Sequence, residues 1–313
     1  MTQTHSVILK IENITKLHGQ FKALNTISLE INRAEIFGLL GPNGAGKSTL
    51  LSILAGASKP SSGFAWLDGM EIQPNNLKLR ARIGLVPQDF AFYEDLTAKE
   101  NLLFFGQLFG MQGQVLTNKV NEILEIIGLD DEKAHQYSKY FSGGMKRRLN
   151  LGIALVHSPD ILMLDEPTVG VDPQSRNRIF EAIKIINAMG TTVIYTTHYM
   201  EEAESLCNRI AILNHGEIIA CDTLQNLLSL TQTTINFSIH ENDQTKSGIL
   251  QNKLPELKSE PLQGSYSLTS HKNSTPDIIN LLVNEKIQII NLHLDSPNLE
   301  KVFLSLTGRH LRD

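Results

Sequence analysis

The chain has 313 residues, with 33 acidic against 28 Lys and Arg for a net charge of −5, and 41% of it is apolar. That length accommodates a large domain and a smaller one, and the apolar share suffices for packed cores. The lack of a net basic field argues against nucleic acid as the main partner, the two cysteines (Cys207 and Cys221) fit neither a disulfide framework nor a metal-ligand spacing, and no run nears the roughly 18 apolar residues of a membrane span.

Met1 to Lys10 lacks a basic stretch followed by a long apolar one, so no signal peptide is expected. Apolar and polar residues alternate over Val7 to Ile11 and Ile27 to Ile31, which predicts two half-buried antiparallel strands. Ile36 to Leu40 is an unbroken apolar run, hence a buried strand. Gly41-Pro42-Asn43-Gly44-Ala45-Gly46-Lys47-Ser48-Thr49 follows it with the spacing G-x-x-x-x-G-K-S/T, and Leu50, Leu51, Ile53 and Leu54 continue at helical spacing. Strand, glycine loop and helix in that order make a phosphate-binding loop. Bare backbone N–H groups wrap the phosphate oxygens and the helix dipole adds positive potential. Lys47 is placed for the outer phosphates and Ser48 for Mg²⁺.

Lys59-Pro60-Ser61-Ser62-Gly63 breaks the chain, and Phe64 to Leu67 and Arg82 to Val86 are predicted strands, the second ending at Pro87-Gln88. Thr97 to Glu100 has the spacing of a capping box, and helices are expected over Ala98 to Leu108 and Leu116 to Ile127, stopped by Gly128. Phe104, Phe105, Leu108 and Phe109 form a stripe read mainly as core. Ser142-Gly143-Gly144 opens another helix, in which Lys146-Arg147-Arg148 is expected to face solvent. Ile161 to Leu164 is a buried strand closed by Asp165-Glu166-Pro167, Asp172-Pro173 starts a helix that Gly190 ends, and Thr192 to Thr197 is a buried strand ending at His198. Alternating strands and helices predict a parallel sheet covered on both faces.

Beyond about Leu228 the pattern changes. Ile235, Phe237 and Ile239 alternate with polar residues, and a polar stretch runs through Gly248. A weak strand (Tyr266 to Leu268), a helix begun at Pro276, a strand (Gln288 to Leu294) and a helix begun at Pro297 follow. The expected division is a nucleotide-binding domain over 1–230, with a helical subdomain at about 90–158, and a small α+β domain over 231–313.

Taken in order, these motifs resemble those of ABC-type ATPases. Besides the phosphate loop, Gln88 resembles the family's glutamine loop and Phe141-Ser142-Gly143-Gly144-Met145 its LSGGQ signature, with Phe141 and Met145 departing from the pattern. Ile161 to Glu166 resembles the apolar strand with its Asp-Glu pair, Val171-Asp172 the D-loop, and His198 the switch histidine. The resemblance implies an α/β P-loop NTPase fold, with a mostly parallel sheet, an antiparallel β subdomain and a helical subdomain. It implies ATP and Mg²⁺: Asp165, Ser48 and Gln88 on the metal side, Glu166 polarising the attacking water, and His198 contacting the γ-phosphate and that glutamate. Ser142, Gly143 and Gly144 would hold the ATP of a second ATPase subunit in a head-to-tail dimer. His18 stands where the family often has an aromatic residue against adenine.

Within the family, Ser142 to Leu149 and the tail from Asn298 to Phe303 through Thr307-Gly308-Arg309 resemble the separate ATPase subunits of drug-resistance, polysaccharide and lipid exporters. The implied protein is an ATP hydrolase, cytoplasmic and peripheral on the inner face of the membrane, that drives an integral membrane permease. The segment after Gln88, over Phe90 to Phe105, is where such a permease would dock. An importer subunit and a soluble ABC ATPase acting on ribosomes or DNA are the alternatives. The single nucleotide motif set and the absence of sustained heptads weigh against the soluble one.

Overall fold

A computed structural model describes residues 6–74, 76–240, 250, 252–253, 258–260, 265–270 and 275–308; residues 241–249 and Arg309, which the sequence reading also covered, lie outside this set. The chain divides into two compact units, Met1–Leu224 and Gln225–Leu311.

The first unit opens with a long hairpin, β1 (Val7–His18) and β2 (Phe21–Asn32), then β3 (Ile36–Leu40) and α1 (Lys47–Leu54). Next come β4 (Ser62–Leu67), β5 (Met70–Glu71), α2 (Leu77–Arg80) and β6 (Ile83–Val86). A run of helices follows: α3 (Ala98–Leu108), α4 (Gly113–Ile126), α5 (Asp131–Ala134) and α6 (Gly143–Leu155). The unit continues with β7 (Ile161–Asp165), α7 (Pro173–Ala188), β8 (Thr192–Thr197), α8 (Met200–Leu206), β9 (Arg209–Asn214) and β10 (Glu217–Thr223). The division between units falls at α9 (Leu224–Leu228).

Two sheets carry this unit. One is antiparallel, in the order β2-β1-β4-β5. The other runs β10-β9-β3-β8-β7-β6, with every pair parallel except β10 with β9. Both faces of the parallel strands are covered, so β3 and β8 are buried throughout, as their continuous apolar runs require. The half-buried strands behave differently: in β2, Ile27, Leu29 and Ile31 are buried while the residues between them are exposed.

Local chemistry sets the helix ends. Thr97 and Glu100 form the reciprocal capping box of α3. Asp172 caps α7, with Pro173 at its first turn and Gly190 left-handed just beyond it. One start departs from expectation: α4 begins at Gly113, three residues before Leu116, and Gln112 to Val115 are all exposed, so no buried apolar residue marks that first turn.

In the second unit, β11 (Thr233–Ile239), β12 (Lys258–Glu260), β13 (Ser265–Ser270) and β14 (Ile289–Asp295) pair antiparallel in the order β12-β13-β11-β14. Ile235, Phe237 and Ile239 point from β11 into a small core with Leu250, Tyr266, Leu282 and Ile287. Two of its helices span Thr275–Asn284 and Leu299–Thr307. The latter starts one residue after Asn298, whose side chain accepts from the Lys301 N–H; Pro297 precedes the cap rather than opening the helix.

Candidate functional site

The sheet order β3-β8-β7-β6 puts four chain segments side by side at the carboxyl ends of parallel strands: loop Gly41 to Gly46 after β3, His198 after β8, Asp165 and Glu166 at the end of β7, and Gln88 just beyond β6. Open parallel sheets bind ligands at this edge. A cleft of about 490 Å³ opens there, lined by His18, Asn43, Gly44, Gly46, Lys47, Ser48, Thr49, Gln88, Glu166 and His198, together with Phe21, Ala23 and Val169.

Other expected residues sit outside that lining. Gly41 and Ala45 are buried behind the loop, and Pro42 turns its carbonyl to Lys47. Asp165 is half-buried and accepts a hydrogen bond from Thr196 Oγ1 at 2.9 Å. Ser142 caps α6 and Gly143 and Gly144 begin it, all three outside that lining.

The loop's shape follows from its glycines. Gly46 has φ 110, and a Cβ there would lie 2.7 Å from the Ala23 carbonyl oxygen, so only glycine fits. Gly46 is also the cap of α1 and offers no side-chain acceptor, which leaves the first-turn N–H groups of α1 without a side-chain partner. Such a helix start attracts anions.

Lys47 is 4% exposed, and its ammonium donates to the carbonyls of Gly41 at 2.7 Å and Pro42 at 3.0 Å. Its third partner is Glu166 Oε1 at 3.0 Å. The other oxygen of Glu166 lies 3.1 Å from His198 Nδ1; an ionised carboxylate only accepts, so Nδ1 is the donor. One carboxylate thus bridges the ammonium and the imidazole. Glu166 holds a left-handed backbone, φ 46, which costs a non-glycine residue about 1 kcal/mol or more, and its N–H is fixed to Thr196 Oγ1 at 3.0 Å. A buried charge is stable only when so partnered.

Chemically, Glu166 can accept a proton from a water and Lys47 can neutralise phosphate oxygens. Ser48, Gln88 and Asp165 offer hard oxygen ligands, which suit Mg²⁺ shared with phosphates. Among the described residues there is no cluster of three or more His, Cys, Asp or Glu able to hold a metal alone. The uncapped glycine loop and the oxygen donors fit a Mg²⁺–polyphosphate.

Helix α6 connects this cleft to its own exposed start. Ser142 caps α6 by accepting from the Met145 N–H at 3.3 Å, with Ser142 and Gly143 exposed. Gly144 is buried, because a Cβ there would meet Ser175 Oγ of α7 at 2.2 Å. One turn on, the expectation of a solvated basic face is overturned: Arg147 and Arg148 are 9% and 8% exposed. Arg147 donates to the Gln88 carbonyl and stacks its guanidinium 4.7 Å over Phe90, while Arg148 donates to the carbonyls of Ile127 at 2.7 Å and Gly128 at 2.5 Å, beyond the end of α4. Burial lowers both guanidinium pKa values from their usual range. Asn150 adds to the grip on the glutamine loop: it accepts from the Ala91 N–H at 3.0 Å and donates to the carbonyls of Pro87 and Asp89 at 3.3 Å each.

The stripe on α3 is also less buried than its sequence suggests. Leu108 and Phe109 are 65% and 44% exposed, and Phe104 and Phe105 pack against the exposed Tyr93 at centroid distances of 5.1 and 6.2 Å. Just past Gln88, Phe90 and Phe92 form a second aromatic pair, with centroids 5.7 Å apart.

Sequence reasoning missed Phe21, Arg147 and Asn150. Phe21 pairs directly across the hairpin from His18, so both side chains stand on one face, and it is 65% exposed at the cleft. The signal was an aromatic residue three positions past His18; using it required the register of β1 on β2.

A sequence profile described as ABC transporter matches residues 24–169. The linearmycin resistance ATP-binding protein LnrL of Bacillus subtilis is 42% identical over 98% of this chain and 100% of its own length. The Nod factor export ATP-binding protein I of Cupriavidus pinatubonensis is 36% identical over 98% of this chain and 93% of its own. Among solved structures, the dimeric post-hydrolysis ATP-binding cassette MJ0796 bound to ADP and Pi superimposes with a TM-score of 0.63, at 30% identity, over 69% of this chain and 98% of that one. A nucleotide-free ATP-binding cassette gives 0.64 at 27% identity, over 72% and 96%.

Proposed function

Because this chain belongs to the ABC transporter family and is one of its ATP-binding, ATP-hydrolysing subunits, we propose that it powers export through a separate membrane permease. Two relatives matched over nearly their whole length support the direction of transport, since their names are those of an export protein and a resistance protein. Among the described residues no helix is long and apolar enough to cross a membrane, in keeping with a peripheral subunit at the cytoplasmic face of a permease. The exposed rings of Phe90 and Tyr93 after Gln88, with the half-buried Phe104 and Phe105 against Tyr93, are the proposed docking place for that permease.

The observation that carries the mechanism is the Lys47–Glu166–His198 row at the cleft. The N–H groups of the glycine loop and of the start of α1 bind the phosphates, and Lys47 adds charge at the outer ones. Ser48, Gln88 and Asp165 would hold Mg²⁺, which supplies charge to the phosphate oxygens when bound. Glu166 orients the attacking water and accepts its proton. His198, held through Nδ1 by Glu166, turns its other ring nitrogen to the γ-phosphate side. Phe21 and His18 together offer the base a stacking surface. Ser142 and Gly143, exposed at the start of α6, face the ATP of a second copy in a head-to-tail dimer, so that binding closes the pair and hydrolysis reopens it.

The test of the export reading is recovery of the tagged chain from membranes in mild detergent, with mass spectrometry of the accompanying proteins. A multi-span protein in stoichiometric amount is expected. Recovery with ribosomal proteins alone would contradict it.

A further inference from the structure

Behind the catalytic pair lies a fully buried carboxylate that the mechanism above does not use. Glu202, in the first turn of α8, is 2% exposed. Its Oε1 accepts from Thr168 Oγ1 at 2.8 Å, and its Oε2 from Tyr195 OH at 2.9 Å and Thr197 Oγ1 at 2.7 Å. Arg176 Nε of α7 approaches Oε1 at 3.4 Å. The Tyr195 phenol is pushed well above its usual range by burial and by the Glu202 charge, so it remains a donor.

The three donors come from segments that carry the catalytic pair. Thr168 is two residues past Glu166. Thr197 immediately precedes His198, and its hydroxyl, while donating to Glu202, accepts from the Tyr199 N–H at 2.9 Å, so the backbone is held on both sides of the histidine. The Thr197 carbonyl also accepts from the Gly41 N–H at 3.3 Å, where the phosphate loop begins. A carboxylate in so dry a place is costly unless fully hydrogen-bonded, and a satisfied buried network fixes one arrangement of the parts it joins. An apolar side chain would fill the same space without holding both turns.

We propose that Glu202 is a positioning residue that locks the Glu166 turn to the His198 turn, keeping the 3.1 Å carboxylate–imidazole contact in place for hydrolysis. This inference rests on the roles given to Glu166 and His198 above. Glu202 touches neither nucleotide-lining groups nor the cleft, so its loss acts on turnover rather than on ATP affinity.

The test is ATP turnover by the purified full chain, with KM and kcat separated. Glu202→Gln keeps the shape but replaces one acceptor oxygen with an NH₂ group that faces a hydroxyl. Expected is a kcat lower by roughly 10- to 100-fold with KM for ATP within about twofold, the pattern of a displaced catalytic group. Thr197→Val should lower kcat similarly, and the double variant should be no slower than the worse single one, because both break one link. Thr197→Val carries the test by itself where Glu202→Gln does not fold. A Glu202→Gln protein with wild-type kcat, or losses that multiply in the double variant, would overturn the proposal. Glu166→Gln run alongside separates the two levels: its inactivity with an active Glu202→Gln sinks this inference alone, whereas wild-type turnover in Glu166→Gln sinks the site reading beneath it.

Discussion

Helices α1 and α6 begin with the same ingredients, glycine and serine, and arrive at opposite arrangements. At α1 the cap is Gly46 in a left-handed conformation with no side-chain acceptor, and the helix opens into a cleft that also holds Lys47, Glu166 and His198. At α6 the cap is Ser142 in an extended conformation, its hydroxyl already bonded to the Met145 N–H, and Ser142 and Gly143 stand exposed outside that cleft. The first start has its cation, acid and histidine within its own chain. The second does not line that cleft, and on the function proposed above a second copy completes it. An ATP held between two copies requires this asymmetry.

The largest expected effect breaks the first site. Glu166→Gln should lower turnover by at least about 100-fold while ATP binding persists, measured by steady-state hydrolysis and equilibrium nucleotide binding. Lys47→Ala should act on binding itself. Losing a charge-assisted donor of about 1.5–3 kcal/mol weakens ATP at least about tenfold, and leaves Glu166 a buried charge with only His198, so a lower unfolding temperature is expected as well. The second site should respond with opposite signs in stability and activity. Gly143→Asp puts a negative charge at an exposed helix start, worth about 0.3–1 kcal/mol of added stability, yet repels a partner's phosphate. Thermal unfolding should rise slightly or hold, turnover should fall severalfold, and ATP affinity of the single chain should be unchanged. The smallest effect sharpens the base subsite: Phe21→Ala should weaken ATP a fewfold, from about 0.5–1.5 kcal/mol of stacking, and more than His18→Ala does in the same titration.

Local chemistry was legible and distant chemistry was not. The capping box of Thr97 and Glu100 and the Asp172-Pro173 start are short-range statements, written within four residues of chain. The glycine loop is likewise visible, since a strand, a spacing and a helix announce it together. Arg147 and Arg148 looked like a solvated face because their partners, the carbonyls of Gln88, Ile127 and Gly128, lie 20 or more residues away and carry no side-chain signature. Glu202 had the same disguise: a glutamate in a first helical turn suits the dipole, and nothing in its neighbours says that three hydroxyls will enclose it. The aromatic stripe of α3 was misjudged for the converse reason. Periodicity tells that Phe104, Phe105, Leu108 and Phe109 share a face, not what covers that face.

The central claim is that α6 completes the nucleotide site of a second copy. Light scattering of Glu166→Gln, with and without ATP and Mg²⁺, tests it most directly. The account predicts a single-chain mass without nucleotide and a doubled mass with it, the doubling being abolished when Gly143→Asp is added. A single-chain mass with ATP demonstrably bound would contradict it.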